Sequence, residues 1–211
     1  MYRINLFVED HGHEAVLKAL VSRLIKQYHL SVKITVNTAR GGHGRVISTL
    51  KEYISDLEDT QEDLPDLLIV ATDGNCKGYL GRKQEIDSAV KRFAGQIIYA
   101  IPDPHVERWL LLDATAFKKV LGKGCSAPKQ KCERNLYKRL LIDAIRQTGT
   151  NPPLGGIEYA EDLVNEMDLE HLERTEDSLG KFLKPLRQQF QTWQQARQQQ
   201  IRNQPDDPSQ K

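Results

Sequence analysis

The chain has 211 residues, 39% hydrophobic and 28% charged, an ordinary balance for a soluble globular protein and enough chain for one full core, with or without an appendage. A net charge of +1 gives no global field, so any affinity for nucleic acid must come from a local patch. No apolar run approaches the ~18 residues of a membrane span, no basic segment leads into an apolar run at the N-terminus, and three sparse cysteines (Cys76, Cys125 and Cys132) read as reduced thiols in a cytoplasm.

Residues 2–8 (YRINLFV) read as a strand. Residues 13–28 carry apolar side chains at 16, 17, 20, 21, 24 and 25, the spacing of a helix. Residues 31–36 (SVKITV) alternate like a second strand, and 37–45 (NTARGGHGR) form a glycine-rich loop before a helix over 46–57. Residues 66–71 (DLLIVA) are a continuous apolar run, as expected for a strand buried on both faces of a sheet. A helix over 82–93 and a strand over 96–101, stopped by Pro102, complete the alternation. Such an order predicts an α/β fold with a mainly parallel four-stranded sheet flanked by helices. Ligand sites of such sheets gather at the carboxyl ends of the strands.

Beyond about residue 104 the pattern turns helical, over 106–121, 128–147, 159–173 and 176–199, with a loop at 149–156. The expected organisation is a core domain over 1–115, an all-helical extension over 116–196 and a disordered Gln-, Asp- and Pro-rich tail over 197–211. Trp109 reads as core. The apolar stripe Leu179, Phe182, Leu183, Leu186, Phe190 and Trp193 suits packing against the extension or a second copy of the chain.

The acids fall at the ends of the first, third and fourth predicted strands. Glu9 and Asp10 follow the first strand, and Glu14 starts the first helix. Asp73 and Asn75 follow the third strand, and Asp103 and Glu107 follow the fourth. Carboxylates gathered at one edge repel one another unless a cation compensates, and hard oxygen ligands at an open edge suit Mg²⁺ or Mn²⁺. Each acid also has a plainer role: Asp10 as a helix cap, Asp73-Gly74 as a turn pair, Glu107 as a solvated helix acid. His11, His13 and Glu14 lack the H-E-x-x-H spacing of a zinc site, and Cys125 and Cys132 miss C-x₂₋₄-C, so free thiols are expected there.

This set resembles a Toprim domain. "VEDHGHE" is similar to the V-E-G-x-T-E opening of Toprim proteins related to OLD-family nucleases, with one extra residue and His13 in the threonine's place. "IPDPHVERWLLLD" resembles their P-x-x-E-x-W-L-x-x-D segment. The resemblance covers roughly residues 1–115. It implies that Glu9 binds metal and serves as general base, and that Glu14, Asp73 and Glu107 are further metal or metal-water ligands. Asn75 stands where many Toprim domains have a second Asp, so Asp103 or Asp113 would have to supply the missing charge.

Around this set lies positive charge. The loop NTARGGHGR, no Walker loop, is either a plain flexible connection or a phosphate contact, with Arg40, His43 and Arg45 among glycines that let a phosphate approach the backbone. Lys77 follows Asp73 closely enough to neutralise a scissile phosphate, and reads equally as a surface lysine. The stretch 118–139 holds Lys118, Lys119, Lys123, Lys129, Lys131, Arg134, Lys138 and Arg139 against one acid, Glu133. It reads as a backbone-tracking surface for DNA or RNA, or else as a solvated face or a contact for an acidic protein.

The leading expectation is a Mg²⁺- or Mn²⁺-dependent nuclease. Small relatives of this layout resemble partners of ABC-type ATPases in phage defence, and this chain carries no ATPase motif of its own. The rival is a non-catalytic Toprim-fold binding or regulatory subunit, favoured by Asn75. A primase-like nucleotidyl transferase ranks below both, since no accompanying primase elements are recognised.

Overall fold

In a computed structural model of the protein, residues 1–39, 41–60, 64–91, 93, 95–126 and 129–202 are described. Four strands, β1 (Tyr2–Val8), β2 (Val32–Thr38), β3 (Leu67–Ala71) and β4 (Ile97–Ala100), form one parallel sheet in the order β2-β1-β3-β4. The helices α1 (His11–Gln27), α2 (His43–Thr60) and α3 (Gly78–Ala89) connect them. The expected α/β architecture is present, with strand boundaries within two residues of the expected ones.

Register decides what meets at the edge. Val8 pairs with Thr38 on one side and with Ala71 on the other, and Ala71 pairs with Ala100. Parallel strands therefore run out together, and Glu9 emerges beside Thr72.

Side-chain alternation sorts the sheet into two faces. Ile4, Leu6, Val8, Leu67, Ile69 and Ala71 enter one core with α1 and the C-terminal helices, while Phe7, Leu68 and Val70 enter another with α2 and α3. β3 is buried throughout, which is why it reads as an unbroken apolar run.

The C-terminal part is helical as expected, through α4 (Val106–Leu110), α5 (Ala114–Leu121), α6 (Leu136–Arg146), α7 (Ala160–Glu166), α8 (Leu169–Thr175) and α9 (Asp177–Arg202). Two expected helices are each broken in two. Asp113 interrupts the first, its carboxylate accepting from Thr115 N and Ala116 N (3.0 Å each) to start α5. Asp168 interrupts the other, capping α8 through His171 N (2.9 Å). The helix expected over 128–147 begins only at Leu136, and α9 continues through 197–202, a segment expected as tail.

These helices share the α1-side core rather than hang beside it. The stripe from Leu179 to Trp193 is buried within the chain, and Trp193 stacks on Tyr2 of β1 with ring centroids 4.2 Å apart. Trp109 is core, as expected, its indole N–H donating to Ser178 Oγ at 3.0 Å. The thiols depart from expectation: Cys76 and Cys132 form a disulfide across 56 residues, and Cys125 remains free. Their sequence distance hid the pair, because spacing rules see only neighbours. Among the described residues no helix is long and apolar enough to cross a membrane.

Candidate functional site

Three strand-end loops close over one another at the carboxyl edge. Gly74 N donates to Pro102 O (2.7 Å) and Asn75 N to Pro104 O (2.9 Å), zipping the loop after β3 to the loop after β4. A Cβ at Gly74 would stand 3.0 Å from Pro102 O, a contact tight enough that this approach favours glycine. Asn75 takes a left-handed backbone (φ 48°), which Asn tolerates better than most residues. Its amide leans toward the Asp73 carbonyl (3.5 Å). That conformational demand is a reason for Asn at this position besides any ligation. Asp103 lies against the same loop, its carboxylate oxygens 3.3 Å from a Cβ built on Gly74 and 3.5 Å from one on Gly78.

Asp73 is the centre. Its Oδ1 accepts from Val106 N at the start of α4 (2.9 Å), and its Oδ2 meets His105 Nδ1 (2.9 Å). His13 Nε2 lies 3.1 Å from Oδ1, an ion pair whose angle falls short of a hydrogen bond. The other His13 nitrogen meets Asp10 Oδ1 at 3.0 Å. Asp10 also caps α1 by accepting from His13 N (3.0 Å), the plain role its position offers. Facing a carboxylate with both nitrogens, the buried His13 ring is suited to the imidazolium form, in which both donate. Burial opposes that charge, but Asp73 and Asp10 override it and hold His13 well above its ordinary value. Burial would raise Asp73, and the His13 charge with the His105 contact pulls it below the usual carboxylate range instead. The Asp73 contact raises His105 despite burial.

Glu9 joins from the neighbouring strand. Its Oε2 accepts from Thr72 Oγ1 (2.5 Å) and from Asp73 N (3.3 Å). Glu107, one residue beyond Val106, is pushed up by burial and then by the negative charge of Asp73. Glu9 is thus tied to the backbone N–H of Asp73, and Glu107 stands near enough to Asp73 to feel its charge. Glu14 sits further out, accepting from Thr38 Oγ1 (3.0 Å) and approached by Lys18 Nζ (3.5 Å). Asp113 is held elsewhere as a helix cap that also accepts from Asp168 N (2.9 Å), so it does not supply the charge that Asn75 lacks.

The positive groups divide. His43 is turned inward: Nδ1 meets Thr72 Oγ1 (3.0 Å) and Nε2 meets Glu85 Oε2 (2.7 Å). Burial and the Arg82 guanidinium pull its basicity down. Lys77 pairs with Glu85, which also receives Arg82 (3.0 Å). Arg45 is exposed on the first turn of α2, and Arg40 lies outside the described residues. Lys123, Lys129 and Lys131 are exposed. The disulfide at Cys132 ties their segment to Cys76, three residues past Asp73, and Tyr137 braces it by accepting from Lys131 N (2.7 Å) and donating to a Lys129 or Lys131 carbonyl.

A cleft of about 920 Å³ opens beside the acids, between α1 and the segment entering α7, and Glu14, Glu107, Lys18 and Lys138 line it. Glu9 and Asp73 are not among its walls, so the cleft touches the carboxylate centre only through Glu107.

Oxygen donors of this type suit a hard divalent cation. Acids from three loops share the edge, and Glu107 is raised by burial first and by the Asp73 charge second, against the lowering pull of His13 and His105. The fit is incomplete as the side chains now stand, because both oxygens of Asp73 are engaged by His13, His105 and Val106 N. Among the described residues no three His, Cys, Asp or Glu side chains form a ready metal-holding group.

Sequence reasoning passed over Thr72, Glu85, Arg82 and His105 as site residues. Thr72 and His105 carry a signal only once Asp73 is known, as flanks of the two loops. Glu85 and Arg82 carry none that is local.

A family described as a domain of unknown function (DUF4276) matches residues 8–187, and the chain belongs to it. No curated protein and no solved structure matches the chain.

Proposed function

We propose that this DUF4276 chain is a Mg²⁺- or Mn²⁺-dependent phosphodiester hydrolase of Toprim type acting on DNA or RNA. The observation that carries the reading is the meeting of strand-end carboxylates, with Asp73 N bonded to Glu9 Oε2 and the Asp73 charge felt by Glu107. Glu9, Asp73 and Glu107 would hold the cation, with Asp103 at the rim. When bound, the cation supplies charge neutralisation at the phosphate and activation of water.

The chain's own residues do the rest. Both hydrogen bonds to Glu9 among the described residues end on Oε2. Oε1 is then the atom to take a proton from an attacking water. Exposed Lys123, Lys129 and Lys131 hold the phosphate backbone and read no bases, which predicts weak sequence preference. The disulfide keeps that segment beside the Asp73 loop. Control by an ABC-type ATPase partner or by self-assembly belongs to the same proposal, whereas the Cys76–Cys132 disulfide removes the reduced-thiol argument for a cytoplasmic setting.

The test is cleavage of plasmid and single-stranded substrates with Mn²⁺ by the purified full chain, alone and with the ATPase encoded beside it. Loss of cleavage in Glu9→Ala and Asp73→Ala supports the reading, and undiminished cleavage in both rejects it.

One observation favours a second reading, a non-catalytic binding subunit of an ATPase complex: the histidine and backbone contacts that already occupy Asp73. Calorimetric titration with Mn²⁺ separates the two, since a subunit with no affinity in the millimolar range cannot run the hydrolysis.

A further inference from the structure

We propose that Thr72, His43 and Glu85 form a positioning chain that holds the Glu9 carboxylate in the site, so that His43 acts behind the reaction centre rather than as a contact to phosphate. The inference rests on reading Glu9 as a metal-site carboxylate.

The chain of contacts is continuous. The Thr72 hydroxyl donates to Glu9 Oε2 at 2.5 Å. A hydroxyl has one proton, and this contact uses it, so His43 Nδ1–H must be the donor at Thr72 Oγ1, 3.0 Å away. That fixes which ring nitrogen carries the proton toward Thr72. The opposite nitrogen, Nε2, lies 2.7 Å from Glu85 Oε2; a carboxylate only accepts, so this contact calls for a proton on Nε2 as well, and it sets the rotation of the ring. Glu85 is itself gripped by Arg82 (3.0 Å) and by Lys77.

Each member comes from a different part of the fold. Glu9 follows β1, Thr72 follows β3, His43 opens α2 and Glu85 lies on α3. Thr72 is wholly buried, and the His43 side chain is only 15% exposed. A buried hydroxyl aimed at one carboxylate, with a shielded imidazole behind it, is not the setting of a solvent-facing phosphate contact. It is the arrangement by which partners behind a ligand fix its orientation, and losing such partners typically costs ~10–100-fold in metal affinity or activity. The backbone supports this placement. Gly41 and Gly42 have positive φ (125° and 83°), and a Cβ at Gly42 would stand 3.8 Å from Glu9 Oε1. The loop that delivers His43 therefore passes directly over the carboxylate.

Mn²⁺ affinity of the metal-stripped full chain is the readout, measured by calorimetry and by the electron paramagnetic resonance of free Mn²⁺. Thr72→Val keeps the shape of the side chain and removes the hydroxyl. Its affinity is expected to fall ~10–100-fold, with Thr72→Ser recovering most of the loss. Glu85→Gln, on the outer end of the chain where folding is least at risk, is expected to weaken binding by a smaller factor than Thr72→Val. Wild-type affinity in Thr72→Val, or no recovery in Thr72→Ser, overturns the proposal.

Should the wild-type chain bind no Mn²⁺ at all, the hydrolase reading fails, and the positioning chain is judged on its own by the ¹⁵N resonances of the His43 ring. A protonated Nδ1 whose signal moves in Thr72→Val supports the chain of contacts. A ring that Thr72→Val leaves unmoved overturns it.

Discussion

Replacing Asp73 with Asn tests the electrostatic centre of the site without changing its shape. The amide can still accept from Val106 N, now 2.9 Å from Oδ1, so the start of α4 keeps its partner. What disappears is the charge facing His13 and His105 at 3.1 and 2.9 Å. Removing one partner of a buried ion pair costs about 3–5 kcal/mol, because the other charge is left uncompensated. Two features reduce that figure. His13 keeps its contact with Asp10, which is largely exposed and contributes little through solvent, and His13 can also shed its proton. The expected loss is about 2–4 kcal/mol near pH 5.5, read by urea unfolding in chelator. The pH dependence carries the sign. His13 has a folded value raised well above 6.5, so its contribution is fully present below 6.5 and is lost as pH rises through the folded value. His105 behaves likewise. Asp73, depressed below 3.8, contributes above 3.8 and loses that contribution as pH falls through its folded value. Wild-type stability should therefore be greatest between these limits and decline toward pH 8.5. In Asp73→Asn the alkaline decline should flatten, so the two proteins draw closer as pH rises. An equal deficit at pH 5.5 and 8.5, or no deficit, would refute the reasoning.

Two further predictions concern the frame that carries the site. Ser178→Ala leaves the buried Trp109 indole N–H without its partner and should cost about 1–3 kcal/mol in urea unfolding, and an unchanged midpoint would show that the bond contributes nothing net. Cys132→Ser opens a closure of 56 residues and should cost about 2–4 kcal/mol relative to the oxidised wild type, with trypsin cutting the Lys129–Lys131 region faster. Equal stability and equal proteolysis in the two proteins would remove the disulfide from the account.

The sheet was legible because its signal is local. Period-two alternation in β2 and an unbroken apolar run in β3 are each readable within a handful of residues, and parallel order follows from the intervening helices. The helix breaks at Asp113 and Asp168 were less legible. Both residues sit inside apolar patterns that continue at helical spacing, and only their capping bonds show that the chain starts again there. The disulfide was illegible for a related reason, since Cys76 and Cys132 belong to different elements and meet only through the packing of α6 beside the site.

Position alone puts the acids at strand ends, and register explains why Glu9 and Asp73 share an edge. Val8 and Ala71 are paired, so whatever follows them must share an edge. Position could not reveal how the chain tolerates those acids. In the folded protein, positive charge from His13 and His105 stands against Asp73 while His43 and Thr72 support Glu9 from behind. His13 is the instructive case. At the sequence level it is a histidine in a polar run after a strand, with the look of a surface residue. The third position of α1 turns it inward, and there it becomes the buried counter-ion of a carboxylate more than fifty residues away. A cation that enters this site must therefore compete with protein charge already in place, which makes the histidines, as much as the acids, the residues that set how tightly it is held.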